Sequence, residues 1–111
     1  MSEVSRLEKQ KSEDRLSIDR LEMLERLSRN KDFQRLINDQ YMVTECAVLA
    51  HTAGNPALSK DQREDAMQMA MASGHLKRFL RVTEMQGIAA RARVDELNAA
   101  IEDARLEKDE I

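Results

Sequence analysis

The side chains in this 111-residue chain that can do chemistry are few and scattered. His51 and His75 fall on different predicted segments, and two histidines without further ligands do not make a zinc site, which needs three or four. They read as structural or surface residues. Cys46 is the only cysteine, so no disulfide can form within the chain, which fits a reducing compartment. Beside Ala47 and Val48 it reads as a buried packing thiol. Aspartates and glutamates are plentiful, but on charged helices they are expected at the surface. No glycine-rich phosphate loop, zinc-module spacing or nucleophile elbow occurs. These patterns predict no enzyme, no cofactor and no bound metal. One basic cluster remains: Lys77, Arg78, Arg81, Arg91 and Arg93, opposed within residues 76–94 only by Glu84. Such a run can contact nucleic acid, but it is read as lacking interleaved exposed aromatics and a helix-turn-helix, and the chain carries a net charge of −3. A DNA or RNA partner is disfavoured.

The elements that hold these residues are helices. Phe33, Tyr41 and Phe79 are the only rings, and the apolar inventory is mostly Leu, Ala, Met, Ile and Val. With abundant Glu, Lys, Arg and Gln, and a single proline, such a chain favours a few long helices. The most ordered pattern is a heptad through Leu80, Thr83, Gly87, Ala90, Val94, Leu97, Ile101, Ala104, Lys108 and Ile111. Two core positions in seven mark a helix that buries one narrow face against another helix, with Lys108 as a polar intruder.

Three helical segments are predicted. A helical arm covers about residues 2–28, with only Val4 and Leu7 before a polar stretch through Asp14, then an apolar side of Leu16, Ile18, Leu21, Met23, Leu24 and Leu27. Its break is placed near Ser28 to Lys31, with Asn30 and Asp32 as alternative caps and a bent continuous helix as the other reading. A core helix over 32–53 places Phe33, Leu36, Ile37, Tyr41 and Val48 at helical spacing, and these with Phe79 form the expected core. Gly54, Asn55 and Pro56 end it, Gly54 suiting a left-handed residue. A long helix over 60–111 starts at a Ser59-x-x-Gln62 capping box. Gly74 and Gly87 are its weak points, each costing about 1 kcal/mol relative to alanine in an exposed helix. The Ala66, Ala70, Gly74 repeat favours close approach of a neighbouring backbone.

Folding back at Gly54-Asn55-Pro56 gives an all-α, elongated antiparallel helical hairpin. The two shorter helices pack on one long C-terminal helix in a coiled-coil-like manner, as a single helical domain. Leu21, Leu24, Leu80, Gly87, Val94, Leu97 and Ile101 are the expected helix-pairing or oligomerisation residues. A basic block over 76–94 followed by an acidic block over 95–111 suits either register control between paired helices or a solvated face. Met23, Met42, Met69, Met71 and Met85 stay partly exposed in a monomer, which predicts self-association or docking. Met67, Met69 and Met71 suit an adaptable binding surface or ordinary core filling. No membrane span and no targeting segment is read from the sequence.

The stretch Leu24-Glu25-Arg26-Leu27-Ser28-Arg29-Asn30-Lys31-Asp32-Phe33-Gln34-Arg35-Leu36-Ile37, followed by Tyr41, resembles small helical proteins encoded among the head and packaging genes of tailed bacteriophages. Leu76, Phe79 and Leu80 fit the last part of that pattern, and the resemblance covers about residues 20–85. It implies a virion or assembly component found in the virion or the host cytoplasm. Homo-oligomers and phage head, portal or packaging proteins are the implied partners. Two other function classes stay open: a DNA-binding oligomer similar to small terminase subunits, and an intracellular helical adaptor or inhibitor of a host protein.

Overall fold

The computed structural model of the chain describes residues 2–109, without the side chain of Asp109. Ile111 of the heptad and Glu110 of the acidic block lie outside the described residues. Within them the protein is all-α with no strand, a long C-terminal helix packing against shorter ones as a helical hairpin. Helix α1 runs Glu3–Arg29, a short α2 Lys31–Phe33, a π-helical stretch Gln34–Glu45, α3 Cys46–Ala53 and α4 Lys60–Asp109. Its contacts divide the chain into two compact units, Met1–Leu24 with Val82–Ile111, and Glu25–Arg81. No helix among the described residues is long and apolar enough to cross a membrane.

Local chemistry sets the helix boundaries. α1 ends at Arg29 and the chain restarts at Asn30, an extended residue (φ −77°, ψ 121°) whose Oδ1 accepts the Phe33 N–H at 3.0 Å. Asn30 rather than Asp32 is therefore the cap. α3 ends at Gly54, but with φ −89° and ψ −3°, so the left-handed ending expected there does not occur. Right-handed backbone is retained because the Gly54 N–H still bonds back to Ala50 O, and Asn55 and Pro56 do the breaking. Asn55 Oδ1 accepts the Ala57 N–H at 3.0 Å, an Asx turn. At the start of α4, Ser59 Oγ accepts the Gln62 N–H at 3.2 Å while Gln62 Oε1 accepts the Ser59 N–H at 3.1 Å. Ser59→Ala removes one acceptor of this reciprocal pair and should cost about 1 kcal/mol in urea unfolding. No change in midpoint would show that the helix start is anchored elsewhere.

The unit Glu25–Arg81 has almost no buried interior. Ala66 is its one buried apolar residue, joined by Ser73. Phe33, Ile37 and Tyr41 are only half-buried, whereas Leu36 (64 % exposed), Val48 and Phe79 are exposed, so the expected core over these positions is corrected. Phe79 falls between Leu76 and Leu80 on α4 and off their covered side, while for Leu36 and Val48 the π-helical stretch supplies the reason. Its i→i+5 bonding makes a wider turn than the 3.6 residues of an α-helix, seen also where Thr44 Oγ1 bonds to Asp39 O. The covered side therefore returns every four or five residues, at Phe33, Ile37, Tyr41, Met42 and Cys46, and skips Leu36 and Val43. In α3 it continues through Leu49 and Ala53, leaving Val48 outward.

On α4 the matching covered side is Ala66, Ala70, Ser73, Leu76 and Leu80. The Ser73 hydroxyl donates to Ala70 O at 2.7 Å and lies 3.4 Å from Cys46 Sγ. Gly74 is exposed, and a Cβ added there meets nothing within 4 Å. The close approach expected along the Ala66, Ala70, Gly74 repeat is thus not made at Gly74, because Ser73 is turned inward in its place, while Ala66 and Ala70 lie on the covered side.

Candidate helix-pairing interface

In the other unit, α1 and the Val82–Asp109 part of α4 run antiparallel. Three contacts fix the direction, since Glu8 meets Arg105, Asp14 meets Arg93, and Leu21 meets Gly87. Along α4 the covered positions are Thr83, Gly87, Ala90, Val94, Leu97, Ile101 and Ala104, all buried or half-buried, while Lys108 is exposed. Along α1 they are Val4, Leu7, Lys11, Asp14, Ile18 and Leu21, with Leu24 half-buried. Ile18, Ala90 and Val94 form the buried apolar cluster. Leu16, Met23 and Leu27 point outward, so the apolar side drawn for α1 from its leucine density is corrected. The pairing face alternates steps of three and four from Val4, and those three residues fall outside it.

Two polar residues, Lys11 and Asp14, therefore occupy pairing positions on α1. The Asp14 side chain is only 4 % exposed. Arg93 answers it from α4: Nη2 donates to Oδ1 at 2.9 Å, and Nε lies 3.3 Å from Oδ1 and 3.2 Å from Oδ2. Gln10 Nε2 adds a longer contact at 3.4 Å. The Arg93 hydrogen bonds hold the Asp14 carboxyl below its ordinary value of 3.8, against the opposing effect of burial. The guanidinium is held above its ordinary value by the same bond. A second pair, Arg105 Nη2 to Glu8 Oε1 at 2.5 Å, is solvent-exposed and contributes little to stability.

At Gly87 the two helices approach too closely for any side chain on α4. A Cβ built there falls 2.3 Å from Leu21 Cβ, a separation that van der Waals contact does not permit. Glycine is required here by space and not by backbone angle, as no glycine has positive φ.

Leu21, Gly87, Val94 and Ile101 are buried in this unit, with Leu24 and Leu97 half-buried, and Leu80 is half-buried in the other. Phe79 is 64 % exposed between Arg78 and Arg81, so the expectation of a basic run without exposed aromatics is corrected. Lys77, Arg78 and Arg81 lie exposed in the unit Glu25–Arg81, whereas Arg91 and Arg93 belong to the pair with α1, where Arg93 is committed to Asp14. His51 and His75 are exposed, and no group of three His, Cys, Asp or Glu among the described residues is placed to hold a metal ion. Sequence reasoning passed over Asp14 and Arg93 as partners. The signal that finds them is the seven-residue repeat of α1 continued through its polar members, with an arginine flanking the facing stripe. Val94→Asp puts a carboxylate into the buried apolar cluster with Ile18 and Ala90, and should separate α1 from α4. Faster amide exchange in α1 is the expected readout, and unchanged protection in α1 would place Val94 elsewhere.

Compared with known proteins, the chain matches no family model, no curated protein and no solved structure.

Proposed function

We propose that this chain is a non-enzymatic structural or morphogenesis protein of the tailed-bacteriophage head and packaging type, working through coiled-coil-like helix pairing and homo-oligomerisation within a larger assembly. One observation carries the reading. The unit Glu25–Arg81 encloses only Ala66 and Ser73, yet exposes Leu36, Val43, Val48, Met67, Met69 and Met71. A helical layer with so little interior gains stability when another surface covers it, as in symmetric oligomers. The resemblance of Leu24 to Ile37 to phage proteins supplies the setting, in the virion or the host cytoplasm.

Native mass by light scattering across a concentration series tests this directly. A defined oligomer, without DNA retardation that weakens steeply with salt, is the expected result. A monomer at all concentrations overturns the reading. Strongly salt-dependent DNA binding through Lys77, Arg78 and Arg81 would move the chain to the terminase-like class.

A further inference from the structure

One face of α4 in the unit Glu25–Arg81 has no role in the chain's own packing. It runs through Lys60, Glu64, Met67, Met71, Gly74, Arg78 and Arg81, at alternating steps of four and three residues, so these side chains stack along one stripe. Every member is exposed, and the stripe is separate from the covered side through Ala66, Ala70, Ser73, Leu76 and Leu80. Its order is informative: an acid at Glu64, two methionines, a glycine, then two arginines.

That order is complementary to itself when reversed. We infer that this face is a two-fold interface at which α4 of a second copy of the chain lies antiparallel, with Glu64 against the partner's Arg81, Met67 against the stem of the partner's Arg78, and Met71 over the partner's Gly74. The inference rests on the self-association proposed above and names the surface that performs it.

Three observations converge on a second copy as the occupant. Charge complementarity is the first. A two-fold axis between Met71 and Gly74 brings the acidic position of each copy to the basic end of the other, so both Glu64–Arg81 contacts form at once. Among the described residues Glu64 has only Lys60, one turn away at 3.8 Å on an exposed surface, a weak pair that leaves it available. Second, Gly74 sits in the middle of a 50-residue helix, where glycine costs about 1 kcal/mol relative to alanine, and nothing in its own chain approaches it. A facing helix that brings Met71 onto the bare backbone gives that glycine a use. Third, Met67 and Met71 are 56 % and 59 % exposed one turn apart, and unbranched thioethers fill the irregular gap between two helices well.

The test separates this surface from self-association in general. In sedimentation equilibrium of the full chain, Glu64→Arg and Arg81→Glu should each weaken dimerisation about tenfold or more, because symmetry turns one substitution into two like-charge contacts. The double variant Glu64→Arg with Arg81→Glu restores the attraction and should return to within about threefold of the natural chain. Gly74→Ala gives a second readout with opposed signs: melting rises in dilute, dissociated protein, since alanine is the better helix former, while dimerisation weakens. Circular dichroism confirms that each variant keeps its helix content. A natural chain that is monomeric throughout overturns both this interface and the self-association beneath it. An oligomer that persists unchanged in all these variants overturns the interface alone.

Discussion

Replacing Arg93 with methionine is expected to reverse the sign of the protein's response to acid. In the natural chain the Asp14 carboxyl is held below its ordinary value, chiefly by its hydrogen bonds to Arg93. A carboxylate with a lowered folded value contributes stability that is present above about pH 4 and is lost as pH falls through that lowered value. The helix pair of α1 and α4 should therefore weaken in strong acid. Without Arg93 the same buried carboxyl keeps only the long contact to Gln10, and burial becomes the dominant influence. Its folded value then rises above the unfolded one, and stability is present below the unfolded value and lost as pH climbs through the folded one. Urea unfolding of Arg93→Met should show a higher midpoint at pH 4 than at pH 7, the opposite of the natural chain. Asp14→Leu gives the matching control. It removes the buried charge and leaves a guanidinium that is 49 % exposed and can hydrate, so it should be milder at neutral pH than Arg93→Met. Equal losses from the two substitutions, or an unchanged acid response in Arg93→Met, would mean that Asp14 is not held by Arg93.

Gly87→Ala should destabilise the same helix pair even though alanine is the better helix former. The added methyl falls 2.3 Å from Leu21 Cβ, and neither atom is at the end of a flexible chain, so the helices must move apart along the buried stripe. Overpacking of this severity costs about 3 kcal/mol, against which helix propensity returns about 1, leaving a net loss near 2 kcal/mol in denaturant unfolding. The nature of the clash makes a sharper prediction. Leu21→Ala does not rescue Gly87→Ala, because alanine keeps the Cβ that is struck, and it also removes a buried leucine. An increase in stability from Gly87→Ala would show that the helices do not meet at this point. Gly74, where an added methyl meets open space, is the internal comparison.

The sequence disclosed the two helices of this pair unequally. The stripe from Thr83 to Ala104 is readable because every member is apolar or small and the spacing never slips. On α1 the same spacing exists, but Lys11 and Asp14 occupy two of its positions, while Leu16 and Met23 sit off it. Hydropathy alone therefore pulls the eye to the wrong side. An acid at a pairing position only makes sense once its arginine is known to arrive from 79 residues away. Phe33 to Val48 differs for another reason: a period of 3.6 residues places Leu36 and Val48 inside, whereas the wider turn of the backbone leaves both outside. The capping box at Ser59 and Gln62 was readable because its chemistry is local and its partners are three residues apart.

That same reversal between α3 and α4 has a consequence in time. The Arg63 side chain donates to Ala53 O at 3.0 Å across ten residues, with the Asx turn and the capping box lying between them. Closing so short a loop takes little chain entropy, whereas Arg93 and Arg105 must find acids 79 and 97 residues upstream. Folding should begin at this bend and finish where α1 meets the far half of α4. On the ribosome, α1 then waits until Arg93 and the residues after it have emerged before Asp14 and Glu8 have cations to hold.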